Sequence, residues 1–373
     1  MQNLRRNLLL LALPLMVMSC GRSGEGAEHV VAIEPSSDTL VLSEIFRKAD
    51  VVDITGCLVS SVANAVKIGD GFVLSGNFYI GNQQDRTECE IALFSADGEL
   101  VRPIALKGRA GNEVLNVQSV KYNPYRKTLD ALSDYGRCIV SYDTSTWEVS
   151  CKEDLTATDI LVAADFVPLD EHKYLCYKNL GYSDDEEYKL YLYDSDSSAV
   201  TAHYLVLDKD KAEVISFNQK NNLSSDSGRI LFYECFMNTV YSFEDGGLSP
   251  YIIFKDNKFL MPESSTDGFS DLTEFLDMCK NSGKIWGHLN FYFAGDRVFS
   301  LFEYDKSVFL NVMNLSDDTS ASYKYVHDDM ISGEVFLVKE RMPKYVGVTG
   351  DSLLLSVDAA EDHINPLLLV LSW

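Results

Sequence analysis

Residues 92–143 read ALFSADGELVRPIALKGRAGNEVLNVQSVKYNPYRKTLDALSDYGRCIVSYD, and this stretch decides the predicted fold. Short runs of alternating apolar and polar residues are separated by turn sequences such as Asp97-Gly98, a pattern typical of antiparallel β-strands. The stretch holds the end of one group of strands, a connection with glycines at 108 and 111, and nearly all of the next group. Similar segments recur along the chain and helical patterns are scarce, so we predict an all-β protein.

A repeated hairpin gives the length of the repeat. In each hairpin an apolar strand ends in an anchor residue, a polar turn follows, and a second strand leads out. The five anchors, aromatic in all but the last, are Phe94, Tyr142, Tyr193, Phe243 and Met313. They are separated along the chain by 48, 51, 50 and 70 residues.

A second strand–turn–strand pattern precedes each hairpin, which gives six units of about four strands each. Four-stranded sheets repeated radially are typical of a β-propeller, so we predict a six-bladed β-propeller with four-stranded blades over residues 38–373. The last unit lacks a full outgoing hairpin. Residues 364–373 (INPLLLVLSW) supply its third strand, and we predict that an N-terminal strand within residues 38–54 supplies the fourth and closes the ring.

The longest interval between anchors contains an insertion, residues 255–283. Within it, SDLTEFLDMCKN predicts one short helix that Asp271 caps, with Glu274 three residues later. One face of this helix carries apolar residues, namely Leu272, Phe275, Leu276 and Cys279. We expect the insertion to pack over one face of the propeller, either as filler or as a lid on the central pocket.

The first 19 residues predict a signal peptide rather than part of the fold. Arg5 and Arg6 precede an apolar run over residues 8–18, which is too short to span a membrane. Val17-Met18-Ser19-Cys20 resembles the lipobox of bacterial lipoproteins, and the resemblance implies that Cys20 becomes the lipidated, palmitate-bearing first residue of the mature protein. The alternative is an ordinary secretory signal with an incidental cysteine. Residues 20–37 are expected to form a tether.

The signal and the composition together limit location and partners. A lipid on Cys20 would hold the domain at the cell envelope, on the inner or outer membrane, facing the periplasm or the exterior. The chain has 32 Lys+Arg against 56 Asp+Glu, a net charge of −24. Nucleic acid is excluded as a partner, because phosphate binding requires a basic face.

Seven cysteines follow Cys20, and none shows the CxxC spacing of zinc or redox sites. A hairpin with a four-residue turn at 143–146 would pair Tyr142 with Trp147 and place Cys138 opposite Cys151. This register predicts a cross-strand disulfide between them in an oxidising compartment. The alternative is two buried free thiols, which a register change of one residue would produce.

The connection after the first hairpin suggests a family. Its matching residues are Asp97, Gly98, Gly108, Gly111 and Glu113, joined near the C-terminus by Asn365-Pro366-Leu367-Leu368. They resemble the signature of the six-bladed β-propeller lipoproteins of Gram-negative gut-type bacteria, although Ala110 and Val114 replace the usual Pro and Tyr. The resemblance implies a fold and a cellular location rather than a particular chemistry.

No nucleophile elbow, zinc-protease motif, phosphate-binding loop or dinucleotide fingerprint occurs, so we predict no catalytic residue, metal or cofactor. In a propeller the inner strands line the central channel. We expect a ligand-binding ring from one residue of each unit: Asn64, Gln118, Asp159, Asn218, His288 and Tyr345. The alternative is that these side chains only fill or hydrate the channel. Trp286 and Tyr122 could stack on a sugar or peptide beside them, or could belong to the core between blades.

Two functions are compatible with these features. The first is a non-catalytic binding protein that holds a glycan, a peptide or an envelope protein at its central face. The second is a propeller enzyme of the lactonase or lyase type with a metal in the channel. A metal site needs several converging acidic side chains, and Asp159 is the only acid in the predicted ring. The sequence therefore favours the binding protein.

Overall fold

A computed structural model describes residues 26–81, 85–110, 113–181, 186–208, 221–226, 228–266, 269, 271–339, 344–357 and 364–373. Within these residues the strands form seven sheets, arranged as a β-propeller. Three short strands open the chain, and each joins a different sheet: β1 (His29–Val31), β2 (Thr39–Val41) and β3 (Lys48–Asp53). A single 3₁₀ turn, Leu42–Glu44, lies between β2 and β3.

The first three blades follow one another along the chain. The first contains β4 (Leu58–Ile68), β5 (Gly71–Ile80), β6 (Thr87–Phe94) and β7 (Leu100–Leu106). The second contains β8 (Val117–Asn123), β9 (Thr128–Ser133), β10 (Cys138–Asp143) and β11 (Val149–Asp154). The third contains β12 (Asp165–Pro168), β13 (Lys173–Tyr177), β14 (Tyr188–Asp194) and β15 (Ala199–Val206).

The remaining blades recruit the N-terminal strands. The fourth contains β16 (Leu223–Asp226), β17 (Arg229–Phe232), β18 (Thr239–Glu244) and β19 (Gly247–Phe254), with β1 parallel to β19 at its outer edge. The fifth contains β20 (His288–Ala294), β21 (Arg297–Tyr304), β22 (Ser307–Asn314) and β23 (Thr319–Tyr323). A three-stranded sheet joins β2 to β24 (Tyr325–Asp328) and β25 (Glu334–Leu337). The last blade contains β26 (Lys344–Thr349), β27 (Ser352–Val357) and β28 (Leu367–Ser372), followed by β3.

Burial changes systematically from the channel to the rim of each blade. The middle strands are covered on both faces by the neighbouring blades, so nearly every residue of β9 and β10 is buried. The outer strands have solvent along one face, and β15 accordingly alternates between exposed and partly buried residues. This gradient places the apolar core between blades and explains the apolar runs of the middle strands.

The predicted count of six blades is wrong, because the chain forms seven sheets. The missed blade is the three-stranded sheet of β2, β24 and β25, which packs between the fifth and last blades. Its strands are three or four residues long and partly exposed, so they give a weak alternation signal. Its first strand also pairs in parallel with residues almost 290 positions later, Leu40 opposite Val326, which no local pattern reveals.

The inner strands of the six larger blades contact one another in succession around the channel, and β26 contacts β4 to complete the circle. Closure depends on β3, which pairs antiparallel with β28 from Lys48 opposite Ser372 to Asp53 opposite Leu367. Asn365 reinforces this closure. Its Oδ1 accepts the backbone N–H of Val59 at 2.8 Å, and its Nδ2 donates to the carbonyls of Ile54 and Cys57, both at 2.8 Å.

The segment expected to be a tether over residues 20–37 is docked on the propeller from His29 onward. Val31 and Ile33 are buried in the core shared by the fourth and fifth blades. His29 Nδ1 also lies 2.7 Å from Asp318 Oδ1 on the fifth blade. The apolar alternation of HVVAI explains the docking, because it supplies a strand with one buried face. We call residues 28–41 the N-terminal strap.

The inserted helix lies where the sequence places it, as α1 (Leu272–Asn281). Asp271 Oδ1 accepts the backbone N–H of Glu274 at 2.9 Å, which is the predicted cap. Phe275 and Cys279 are buried in a cluster with Phe236 and Trp286. No helix in the described part of the chain is both long enough and apolar enough to cross a membrane.

The predicted register of the Cys138–Cys151 hairpin is wrong. Cys138 lies opposite Asp154 and Cys151 opposite Ser141, with a bulge before Tyr142, and both cysteines are free thiols. Trp147 adopts a left-handed φ of 61° and belongs to the turn, so it does not pair with Tyr142. The two cysteines are therefore three positions out of register and on opposite faces of the sheet, beyond the reach of a disulfide.

His288 lies in the aromatic core rather than in the channel. It is 1% exposed, and its ring centroid lies 4.7 Å from that of Phe254 and 5.6 Å from that of Phe291. Neither ring nitrogen has a hydrogen-bond partner within the described residues. Burial away from water lowers the pKa of His288 to about 3, so the imidazole is neutral in the folded protein.

We expect Asn365→Ala to lower the free energy of unfolding by about 2–4 kcal/mol, because it removes three hydrogen bonds at the ring closure. Chemical denaturation measures this change. Asn77→Ala is the matched control, since exposed Asn77 donates one side-chain hydrogen bond, to Ser61 Oγ at 3.1 Å. Equal destabilisation by the two variants would contradict the importance of Asn365 for closure.

His288 should make the protein less stable in acid. Its folded pKa is lowered, so the unfolded chain binds a proton below about pH 6.5 while the folded protein does not until about pH 3. The free energy of unfolding should therefore fall by about 2 kcal/mol more between pH 7.5 and pH 5 in the wild type than in His288→Leu. Phe291→Leu truncates a neighbouring ring, keeps the imidazole, and should retain the wild-type dependence. Identical pH dependence in all three proteins would show that His288 does not contribute.

Candidate functional site

A pocket of about 340 Å³ opens at one end of the central channel. Its wall comes from the carboxyl-terminal parts of the inner strands and the turns that follow them. The described residues that line it lie at positions 64–67, 120–122, 124–125, 167–168, 221, 223–225, 228, 230, 292–293 and 346–350. All six inner strands therefore contribute to one cavity, which exists only while the ring is closed.

A partly buried ion pair links three of these strands beside the pocket. Lys121 Nζ donates to the carbonyl of Leu223 at 3.0 Å and lies 3.6 Å from Asp165 Oδ1. Asp165 is 3% exposed, and its two oxygens accept the backbone N–H groups of Phe166 and Leu223, both at 2.9 Å. The carboxylate is thus well satisfied, and these contacts fix the position of the Lys121 ammonium.

The pocket is cationic in an acidic protein. Lys67 and Lys121 are among its described lining residues, and none of those residues is Asp or Glu. Lys67 is exposed at the end of β4 and forms no ion pair within the described part of the chain. The charges in the described lining are therefore opposite in sign to the net charge of −24 that the whole chain carries.

Two tyrosines provide exposed aromatic surface in the pocket wall. Tyr122 is 40% exposed and Tyr125 is 52% exposed. The backbone N–H of Tyr125 donates to Asn123 Oδ1 at 3.1 Å, and Asn123 in turn donates to buried Asp130 at 3.0 Å. The turn that presents Tyr125 is therefore anchored to the blade core.

The structure brings two of the predicted ring residues together. Asn64 lines the pocket, and its Nδ2 donates to Ser75 Oγ at 2.8 Å and to the Gln118 carbonyl at 3.4 Å. The side-chain Oε1 of Gln118 is buried and has no hydrogen-bond partner among the described residues. Asn64 and Gln118 thus lie on adjacent inner strands.

The other predicted residues do not join this pair. Asp159 is exposed in the loop between β11 and β12, and its carbonyl accepts from Lys178 Nζ at 3.2 Å. His288 lies in the core described above. Asn218 and the side chain of Tyr345 lie outside the described residues, as does Cys20. Of the two aromatic candidates, Tyr122 lines the pocket and Trp286 stacks on Phe236 at 5.6 Å, in the core next to α1.

Sequence reasoning missed the residues that give the pocket its character: Lys67, Lys121, Tyr125 and Asp165. The prediction chose one polar or aromatic residue near each inner strand, whereas the described lining of the cavity comes mostly from the carboxyl-terminal parts of those strands. The sequence does contain a signal, since Lys67 stands in VANAVKI and Lys121 in VQSVKYN, and both segments are predicted as strands. Searching both ends of each strand for charged residues would have found them.

The described lining of the pocket lacks the residue types that most often bind metal ions. No group of three or more His, Cys, Asp or Glu residues suited to a metal ion occurs within the part of the chain that the structure describes. The described lining residues of the pocket include no histidine, cysteine or carboxylate. Ammonium, amide and hydroxyl groups with exposed tyrosine rings are what this cavity offers.

Known structures share the fold at low sequence identity. A putative exported protein from Bacteroides fragilis NCTC 9343 is 13% identical, with a TM-score of 0.67 over 92% of this chain and 99% of that chain. A member of the DUF4221 family from Bacteroides vulgatus ATCC 8482 is 10% identical, with a TM-score of 0.53 over 88% of this chain and 96% of that chain. These likenesses show the fold alone.

No curated protein matches the sequence. A family model described as "Domain of unknown function (DUF4934)" matches residues 35–362, which covers most of the chain from the N-terminal strap to the connection before β28. The chain therefore belongs to the DUF4934 family.

Proposed function

We propose that this protein is a non-catalytic binding protein, held at the cell envelope by a lipid on Cys20, and that its channel-end pocket binds an acidic glycan. The observation that carries the proposal is the pocket itself: a cavity lined by two lysines and two exposed tyrosines, without a described carboxylate, in a strongly acidic chain.

Charge favours an anionic ligand at this place. Asp165 offsets much of the charge of Lys121, so Lys67 supplies the uncompensated positive charge of the cavity. An exposed ion pair on a flat surface contributes only about 0–1 kcal/mol. In a concave site the field is focused, and the surrounding acidic surface repels the same ligand elsewhere, so the contribution to selectivity is larger.

Shape and aromatic content favour a saccharide. The volume lies at the lower end of the roughly 300–1,000 Å³ typical of small-ligand pockets. Tyr122 and Tyr125 offer amphipathic rings that can stack on the apolar face of a sugar while the hydroxyl contacts its polar edge. A uronic acid unit combines such a ring face with a carboxylate that could reach Lys67.

The envelope location is supported by the sequence and by one structural relative. Residues 17–20 resemble a lipobox, and β1 begins only nine residues after Cys20. The Bacteroides fragilis protein that shares the fold is described as a putative exported protein. Both observations favour an exported domain that stays close to its membrane anchor.

Replacing the proposed lipid-attachment residue tests the anchor. We expect Cys20→Ser to abolish incorporation of labelled palmitate and to move the protein out of the membrane fraction, because the acylated thiol is lost. Cys151→Ser is the matched control, since this half-exposed cysteine lies in the folded domain. Retention of label in Cys20→Ser would show that the cysteine is incidental to an ordinary secretory signal.

Reversing the charge of Lys67 tests the pocket. We expect full-length protein to bind tetragalacturonic acid in titration calorimetry, and Lys67→Glu to weaken binding by about tenfold or more while flattening its salt dependence. Lys48→Glu makes the same charge change on the outer strand β3, where the side chain is 67% exposed, and should stay within about twofold of the wild type.

If Lys67→Glu and Lys48→Glu weaken binding equally, the effect comes from the overall charge of the protein. That result would contradict the assignment of the ligand to this pocket. Binding of neutral oligosaccharides with the same affinity would contradict the acidic ligand. Turnover of the saccharide that requires a divalent ion would instead indicate the metal-dependent enzyme.

A further inference from the structure

A second cavity of about 320 Å³ lies at the outer rim, under the N-terminal strap. The strap is fixed on both sides of it. Before the cavity, the carbonyl of Ala32 accepts Ser320 Oγ at 2.6 Å and that of Ile33 accepts Asn257 Nδ2 at 3.0 Å. After it, the carbonyl of Asp38 accepts the backbone N–H of Lys324 at 3.3 Å. Residues 35–37 span the interval between these anchors and form one wall of the cavity.

The opposite wall is aromatic and rigid. Tyr304 stands edge-on to Phe259, with ring centroids 5.8 Å apart, and to Phe309 at 6.4 Å. Phe309 is stacked on Phe302 at 5.3 Å, which ties the wall to the core of the fifth blade. Phe259 and Tyr304 are half-buried, so part of each ring faces solvent within the cavity.

Polar groups surround this aromatic wall with hydrogen-bonding capacity to spare. Ser37, Asp305, Ser307 and Lys324 line the cavity. Within the described residues, none of their side chains forms an ion pair or a hydrogen bond to another side chain. Asp305 follows Tyr304 directly, has a left-handed φ of 45° in the turn, and lines the same cavity as Tyr304. Donors, acceptors and an apolar ring surface thus converge on one space.

We propose that this rim cleft is a second binding site that takes a neutral pyranose unit of a glycan. The charges favour a neutral ligand. Asp305 and Lys324 both line the cleft, and the ammonium of Lys258 lies 4.7 Å from the centroid of the Phe259 ring, so an anion or a cation would each meet a like charge. A neutral sugar can donate a hydroxyl to Asp305, accept from Lys324, and lay its C–H face on Tyr304. The preference for a neutral ligand distinguishes the cleft from the channel-end pocket, for which an acidic glycan is proposed.

The cleft also ties ligand binding to the N-terminus. Because Ser37 belongs to the strap, a ligand that bridges residues 35–37 and Tyr304 holds the strap against the fifth blade. Bound sugar should therefore slow amide exchange across residues 34–41, whereas a ligand in the channel-end pocket should not.

The test uses full-length protein and four neutral probes, maltopentaose, cellopentaose, mannopentaose and xylopentaose, measured by saturation-transfer NMR and calorimetry. At least one should bind. Tyr304→Ala should lower the affinity for that probe by about tenfold, because the stacking surface is lost. The affinity of Tyr304→Phe should stay within about threefold of the wild type. Ser37→Trp, at an exposed position of the strap, should block binding by filling the cleft without disturbing the core.

Two controls separate this site from the other one. Tyr135→Ala removes a 57% exposed tyrosine of the second blade and should leave binding unchanged. Lys67→Glu should also leave it unchanged, so failure of the channel-end pocket would not affect this result. The proposal is overturned if no neutral probe binds, if binding survives both Tyr304→Ala and Ser37→Trp, or if binding is lost in Lys67→Glu.

Discussion

The antiparallel pairing of β3 with β28 is the contact on which the rest of the structure depends. It joins residues 48–53 to residues 367–372 and converts an open row of blades into a ring. The Asn365 side chain adds three hydrogen bonds at the junction with β4. Closure leaves no gap between the last blade and the first, and the channel-end pocket needs all six inner strands at once.

The ion pairs around the channel hold neighbouring strands in position more than they stabilise the folded protein. Lys121 and Asp165 lose hydration, and the backbone donors of Phe166 and Leu223 offset part of that cost. A similar pair of Lys189 and Glu234 joins the third blade to the fourth, and Lys178 pairs with Glu187 between the ends of β13 and β14 within the third blade. Such pairs contribute little net free energy, but each tolerates only one arrangement of its neighbours, and this fixes adjacent blades relative to one another.

Local pattern in the sequence was enough for the propeller, the ring closure and α1, because strands alternate with period two and Asp271 caps a helix in a recognisable way. Long-range and register-dependent features were out of reach. The parallel pairing of Leu40 with Val326 has no local signature, and one bulge before Tyr142 moves Cys151 away from Cys138. For the pocket, the sequence identified Asn64 and Tyr122 but not the lysines, since which end of an inner strand faces the cavity depends on the assembled ring.

The long-range pairing of the three N-terminal strands also constrains the order in which the protein folds. Strands β1, β2 and β3 pair with residues 252–254, 325–327 and 367–372, all of which leave the ribosome long after these strands. These three strands must therefore wait unpaired while the blades assemble in order, and ring closure comes last. Contacts so distant in sequence close slowly, so the nearly complete ring with its open edge is the intermediate most exposed to aggregation and proteolysis.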